Sequence, residues 1–119
     1  MIKDQVLVKQ MLEMISTTIE ASEYLYKSFK NCNYSNFIQV SNDIGDVINS
    51  IYSKIIDIKS QENIIINVDL ACENANYSLS RIKNLFKARS KRTLDKIEFE
   101  LIPILEDMYL QLYFWGSVY

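Results

Sequence analysis

The chemistry open to this chain is bounded by its reactive side chains. It holds no His, two Cys and two Gly in 119 residues. Without His there is no Ser-His-Asp or Cys-His nucleophile, no His-ligated metal and no His pH switch. Two Gly cannot build a glycine-rich phosphate loop or a nucleophile elbow. Cys32 and Cys72 lie far outside a CxxC spacing, and two thiols alone do not complete a structural zinc site. A single disulfide is allowed. Reduced thiols, buried or half-buried, are the expected state, because the N-terminal MIKDQVLVKQ has neither the apolar core nor the cleavage site of a secretory signal.

Carboxylates offer the next chemistry. Asp43 and Asp46 are three apart, and Glu98, Glu100, Glu106 and Asp107 sit close together further on. A di-metal bundle site needs inward Glu residues with Glu-x-x-His pairs, and the pattern fails without His. A glycosidase-type carboxylate pair stays open beside the simpler reading of a solvated acidic face. No catalytic, cofactor-binding or metal-binding residue is assigned. The chain is expected not to be an enzyme and to need no cofactor.

Two clusters point to binding instead. Residues 81–96 carry seven basic side chains and one acid, whereas the rest of the chain carries six and fourteen. Lys87, Arg89, Lys91 and Arg92 are the densest part. They suit phosphate groups, RNA or an acidic protein surface, or simply complement a helix C-terminus. No aromatic residue interleaves with 87–92 as a base-stacking platform requires, and nucleic acid is not the expected partner. The second cluster is aromatic: Tyr109, Tyr113, Phe114 and Trp115 crowd one stretch. They cannot all share one narrow helix face, so some must point away from the core and offer a partner surface. The alternative is that a kink rotates the stripe and buries them. The apolar ending WGSVY (115–119) is expected either to be docked or to continue into a longer protein.

The elements that position these residues are helices. With 49% apolar and 24% charged residues and one Pro, the chain is globular and short of the turn residues that β-sandwiches need. Four amphipathic stripes follow the three-and-four spacing of one helix side. The first, within residues 3–30, is Val8, Met11, Leu12, Ile15, Ile19, Leu25, Tyr26 and Phe29, interrupted by Thr18 and Ser22. The second, within 35–59, is Phe37, Val40, Ile44, Val47, Ile48, Ile51, Ile55 and Ile58. The third is Val68, Ala71, Cys72, Ala75, Leu79, Ile82, Leu85 and Phe86. The fourth is Leu94, Ile97, Leu101, Ile104, Leu105, Met108, Leu112 and Trp115. Ile64-Ile65-Ile66 reads as an ambiguous, extended lead-in to the third.

Local signals refine this. Asn33 or Ser35 can cap the second helix, and Ser90 or Thr93 the fourth, with Asp95 near its positive end. Gly45 inside the second helix predicts a tight helix contact. Pro103 lacks the N–H that would bond the Phe99 carbonyl, which predicts a kink. Gly116 is expected to end the fourth helix in a left-handed cap. Tyr24, Tyr26, Tyr52 and Tyr77 are expected at helix–helix contacts. Connections of about three to six residues make consecutive helices antiparallel neighbours. The expected fold is therefore all-α: an up-down-up-down antiparallel four-helix bundle, one domain over 1–119, with the fourth helix kinked at Pro103. Three helices with one long broken helix is the alternative.

FELIPILEDMYLQLYFWGSVY (99–119) resembles a helical segment of the small domain of unknown function that accompanies clostridial-type glycosyltransferases of flagellar gene clusters. KNCNYSNFIQVSNDIGDVINSI (30–51) is similar to the helix-turn-helix of flagellin export chaperones. Neither resemblance carries a functional residue. Both imply a bacterial accessory role, which the Ile, Asn and Lys bias of an AT-rich genome suits. The expectation is a cytoplasmic protein-interaction domain with no membrane segment, binding a protein partner or a second copy of itself. The contact surface would be the aromatic stretch, with anion binding by 81–96 as the alternative function.

Overall fold

The computed structural model describes residues 5–61 and 67–117. They form four helices: α1 (Gln5–Lys30), α2 (Tyr34–Gln61), α3 (Val68–Lys87) and α4, which runs over 92–117. Consecutive helices are antiparallel neighbours, α1 and α4 close the ring, and the diagonal pairs stay apart. The body measures 49 × 20 × 19 Å. A 28-residue α2 spans nearly all of that length, about 42 Å at 1.5 Å per residue.

The four predicted stripes all turn inward. Met11, Ile15, Phe37, Ile48, Ile55, Ile82, Leu101 and Leu105 are fully buried. Thr18 and Ser22 lie in the α1 core face. Each hydroxyl donates to the carbonyl four residues back, Thr18 to Met14 at 2.7 Å and Ser22 to Thr18 at 2.9 Å. Those bonds remove the cost of burying the two groups. Ile64-Ile65-Ile66 and the last two residues lie outside the described residues.

The two hairpins repeat one register. Met11, Ile15, Thr18, Ser22, Leu25 and Phe29 are buried in α1, and Val68, Cys72, Ala75, Leu79, Ile82 and Phe86 are buried in α3 with identical spacing. Matching Met11 to Val68 also matches Ile44, Ile48, Ile51 and Ile55 of α2 to Leu101, Leu105, Met108 and Leu112 of α4. Between these stretches the register slips. Phe29 and Phe37 are eight apart, but Phe86 and the next buried residue, Thr93, are only seven apart. A π-helical turn over Ile97–Leu101 restores the register. It inserts one residue into a helix, so Ile97 and Leu101 are four apart where Ser41 and Ile44 are three.

The π turn also accounts for the kink. The N–H of Ile102 donates to the Ile97 carbonyl five residues back. Pro103 follows at once, in the first turn of the α-helical piece Ile102–Ser117, where a missing N–H costs least. The distortion is therefore spread over the turn ahead of Pro103.

Three expectations need correction. Gly116 is helical and no glycine has positive φ. A Cβ there would meet Val8 Cγ1 at 2.8 Å, so this glycine lets α4 approach α1. Gly45 faces Leu79 of α3, yet a Cβ would sit 3.4 Å from Leu79 Cδ2, so a methyl group just fits. Tyr26 and Tyr52 do pack between helices, and the exposed Tyr24 hydroxyl accepts the Asn36 side-chain amide of α2 at 2.9 Å, but Tyr77 is exposed on α3 away from such a contact. Of the cap candidates for α4, the Ser90 hydroxyl accepts the Arg92 N–H at 3.2 Å. Thr93 is buried inside the helix, with no partner for its Oγ1 among the described residues.

Candidate functional site

The α1–α2 and α3–α4 turns meet at one end of the bundle, and both use the same backbone closure. The N–H of Cys32 donates to the Phe29 carbonyl and that of Asn33 to the Ser28 carbonyl, at 3.0 and 2.8 Å. Arg89 and Ser90 repeat this with Phe86 and Leu85, at 2.8 and 3.1 Å. This is the Schellman arrangement, which needs one left-handed residue and usually takes Gly there. Here Cys32 (φ 60°) and Arg89 (φ 53°) hold that position, each at a strain of about 1 kcal/mol.

Aromatic packing offsets the strain. Phe37 and Phe86 stack with centroids 4.1 Å apart and planes 8° off parallel. Phe29 meets both edge-on, at 5.8 and 6.2 Å. The Arg89 guanidinium lies over Phe86 (4.1 Å) and Tyr34 (4.4 Å), and its Nη1 donates to the Phe86 carbonyl at 2.6 Å. Arg89 thus clips the second turn to the first. A hydrogen bond with Cys32 is the main cause holding the Tyr34 hydroxyl above its ordinary pKa.

The basic cluster is divided by the fold. Lys96 and Arg81 converge on Glu100, at 2.8 and 3.7 Å. The Lys96 hydrogen bond holds the Glu100 carboxyl below its ordinary pKa. Lys83 donates to the Asn42 side chain at 3.0 Å. Lys87, Lys91 and Arg92 stay exposed, with no ion-pair partner among the described residues. Lys27 and Lys30, in the last turn of α1, join them at the same end. Sequence reasoning missed these two lysines because they belong to the other hairpin, outside any local basic run.

The aromatic cluster is also divided. Tyr109 and Trp115 are half-buried and packed on the core. Tyr113 and Phe114 point outward, 49% and 59% exposed. Tyr113 stacks on Tyr109 (6.4 Å) and meets Phe114 edge-on (5.8 Å). The outward pair is part of a longer stripe. Phe99 is 69% exposed, Leu110 50%, and Pro103 is exposed between them. Phe99, Pro103, Glu106, Leu110 and Phe114 therefore run along the solvent side of α4. Phe99 and Leu110 were missed because the inner stripe of α4 dominates its periodicity. The outer positions carry a second, weaker stripe of the same period.

The first hairpin supplies a control. The equivalent positions of α2 are Asn42, Asp46, Asn49, Ser53 and Asp57, all exposed. The same bundle geometry thus carries polar groups on α2 and apolar ones on α4. The fold does not require the apolar version.

Other chemistry is sparse. Asp43 and Asp46 are solvated on α2. Among the described residues no cluster of three His, Cys, Asp or Glu side chains is placed to hold a metal ion. No described helix is long and apolar enough to cross a membrane. Both cysteines are free; Cys32 is exposed, contrary to the buried or half-buried expectation, and Cys72 is buried. Burial, with Asp69 and Glu73 nearby, pushes the Cys72 thiol up to about 12. Burial also raises Tyr52, whose hydroxyl bonds Glu73 at 3.2 Å.

Fold and surface together define a small helical-bundle domain with an unmatched outer face. Residues 6–111 match the family model described as Domain of unknown function (DUF8042), and the chain belongs to that family. No curated protein and no solved structure matches it.

Proposed function

We propose that this domain is a non-catalytic protein-interaction module that docks its partner on the outer face of α4. One observation carries the reading. Phe99, Pro103, Leu110 and Phe114 are exposed where the equivalent residues of α2 are Asn, Asp, Ser and Asp. Contiguous exposed apolar side chains mark interaction surfaces, and aromatic anchors carry most of the energy in such contacts. Tyr113 extends the face towards α1, where an open groove of about 220 Å³ is lined by Gln5, Val8, Lys9, Leu12, Tyr113 and Gly116. The resemblances of 99–119 and 30–51 support an accessory role beside bacterial flagellar export or glycosylation proteins. The test is site-specific photo-crosslinking in the producing cell. A photoreactive phenylalanine at position 99 or 114 should give adducts, and one at 42 or 57 should not. Equal yields from both helices would remove the reading.

A second reading, anion binding, is favoured by the gathering of Lys27, Lys30, Lys87, Lys91 and Arg92 at one end. It predicts affinity for a polyanion that falls steeply with salt. Absence of any RNA or polyphosphate binding at low salt would eliminate it.

A further inference from the structure

The identity of the occupant follows from charge. Between residues 97 and 117 α4 has no basic residue. Of the four acids in that span, Glu100 is held by Lys96 and Arg81. Glu98, Glu106 and Asp107 are exposed, with no ion-pair partner among the described residues. Asp107 accepts the neutral Gln111 amide, at 2.7 Å. The apolar stripe is therefore bordered by Glu98 and Asp107 and interrupted by Glu106. Phe99 to Phe114 spans about 22 Å at 1.5 Å per residue, or four turns.

A second copy of this chain fits the apolar residues and fails on the charges. An antiparallel two-fold pairing centred between residues 106 and 107 would set Phe99 against Phe114 and Pro103 against Leu110. It would also bring Glu106 and Asp107 of both copies to the axis. Four carboxylates would then meet with no cation between residues 97 and 117 of either helix, and like charges juxtaposed at an interface are strongly disfavoured.

Resting on the docking-face reading above, we propose that the outer face of α4 seats a cationic amphipathic helix of a different protein. Its apolar edge packs on Phe99, Pro103, Leu110 and Phe114. Its Lys or Arg side chains lie against Glu98 and Asp107 beside the stripe and Glu106 within it. This is helix-on-surface recognition, with the apolar stripe supplying affinity and the carboxylates supplying selectivity.

The test uses two synthetic 18-residue helices with the same Leu stripe, one flanked by Lys and one by Glu. Binding to the full chain is read by fluorescence anisotropy of the labelled peptide. The Lys-flanked helix should bind at least tenfold tighter, with the gap closing at high salt. Leu110→Ser with Phe114→Ser, which keeps net charge, should weaken it tenfold or more while circular dichroism stays unchanged. Glu106→Lys with Asp107→Lys should reverse the preference. Equal binding of the two peptides, or binding untouched by the serine pair, would overturn the proposal. If neither peptide binds but light scattering shows a dimer that Leu110→Ser makes monomeric, the occupant is a second copy. The docking face then stands and this inference falls. If neither binds and the chain is a monomer, both fall.

Discussion

The α1–α2 and α3–α4 hairpins bury matching registers, yet they differ on the side away from the core. Asn42, Asp46, Ser53 and Asp57 of α2 correspond to Phe99, Pro103, Leu110 and Phe114 of α4. Inner positions are constrained by packing, so they repeat. Outer positions are less constrained by it. Asn42 and Asn49 of α2 accept hydrogen bonds from Lys83 and Asn76 of α3, so the contrast that reports a demand other than folding rests on Ser53 and Asp57 against Leu110 and Phe114. The second hairpin also departs in its backbone, through the π turn at Ile97–Leu101. That turn keeps the inner register aligned after the shorter step from Phe86 to Thr93, so α4 and α2 can still be compared position by position.

The comparison breaks first at the core. Ile48 and Leu105 are equivalent and fully buried. Ile48→Ala and Leu105→Ala should each lower the unfolding free energy by about 2–5 kcal/mol, measured by urea denaturation. A large effect at one and little at the other would show that the hairpins do not share one core layer.

The two glycines should then respond with opposite signs. Gly116→Ala drives a methyl group against Val8 Cγ1, 2.8 Å away, and overpacking of this kind costs about 1–3 kcal/mol. Gly45→Ala leaves the methyl in ordinary contact with Leu79 and removes a helix-interior glycine, a gain of about 0.5–1 kcal/mol. Thermal midpoints of the two variants should lie on either side of the parent. Two falling midpoints would mean that α2 and α3 are packed as tightly as α1 and α4.

An ionisable group separates the inner layers as well. Cys72 occupies the position equivalent to Ile15. Its thiol, ordinarily at 9.0, is raised to about 12 in the fold. The folded state therefore holds the proton more tightly than the unfolded chain. Stability is full below pH 9 and declines as pH rises above it. The loss should be about 1 kcal/mol by roughly pH 9.5. Cys72→Val should match the parent at neutral pH and resist alkali better. Iodoacetamide should label native Cys32, which is exposed, and reach Cys72 only on unfolding. Parallel stability curves for parent and Cys72→Val across pH 8–10 would contradict the burial of this thiol.

The legible part of this molecule was its periodicity. All four stripes and the Pro103 distortion could be read because core burial imposes a three-and-four spacing on any helix. What escaped reading depended on distance along the chain. Lys27 and Lys30 share an end with Lys87 and Arg92 only because two turns meet there. Arg89 stacks on Tyr34 from the other hairpin, so an apparent anion ligand also serves as a clip. Gly116 was misread because a glycine near a helix end suggests a cap, while its real neighbour is Val8 at the far end of the chain. The repeat that would have exposed these relations is faint: Phe29-Lys30 and Phe86-Lys87 are its clearest local trace.

The smallest expected effect on stability bears most directly on function. Leu110→Ser and Phe114→Ser remove side chains that are 50% and 59% exposed, and exposed substitutions away from special features stay within about 0.5 kcal/mol. The denaturation midpoint should barely move. The reciprocal graft, Ser53→Leu with Asp57→Phe, places the same side chains on α2, where the backbone is a regular α-helix. It too should leave stability within about 0.5 kcal/mol per site, but it should give the protein a second apolar face. Gel filtration should then show stronger retention or self-association for the graft, and weaker for the serine pair. A serine pair that loses several kcal/mol would mean that the outer residues of α4 hold the bundle together. The contrast with α2 would then report a structural difference between the hairpins, and the docking face would lose its support.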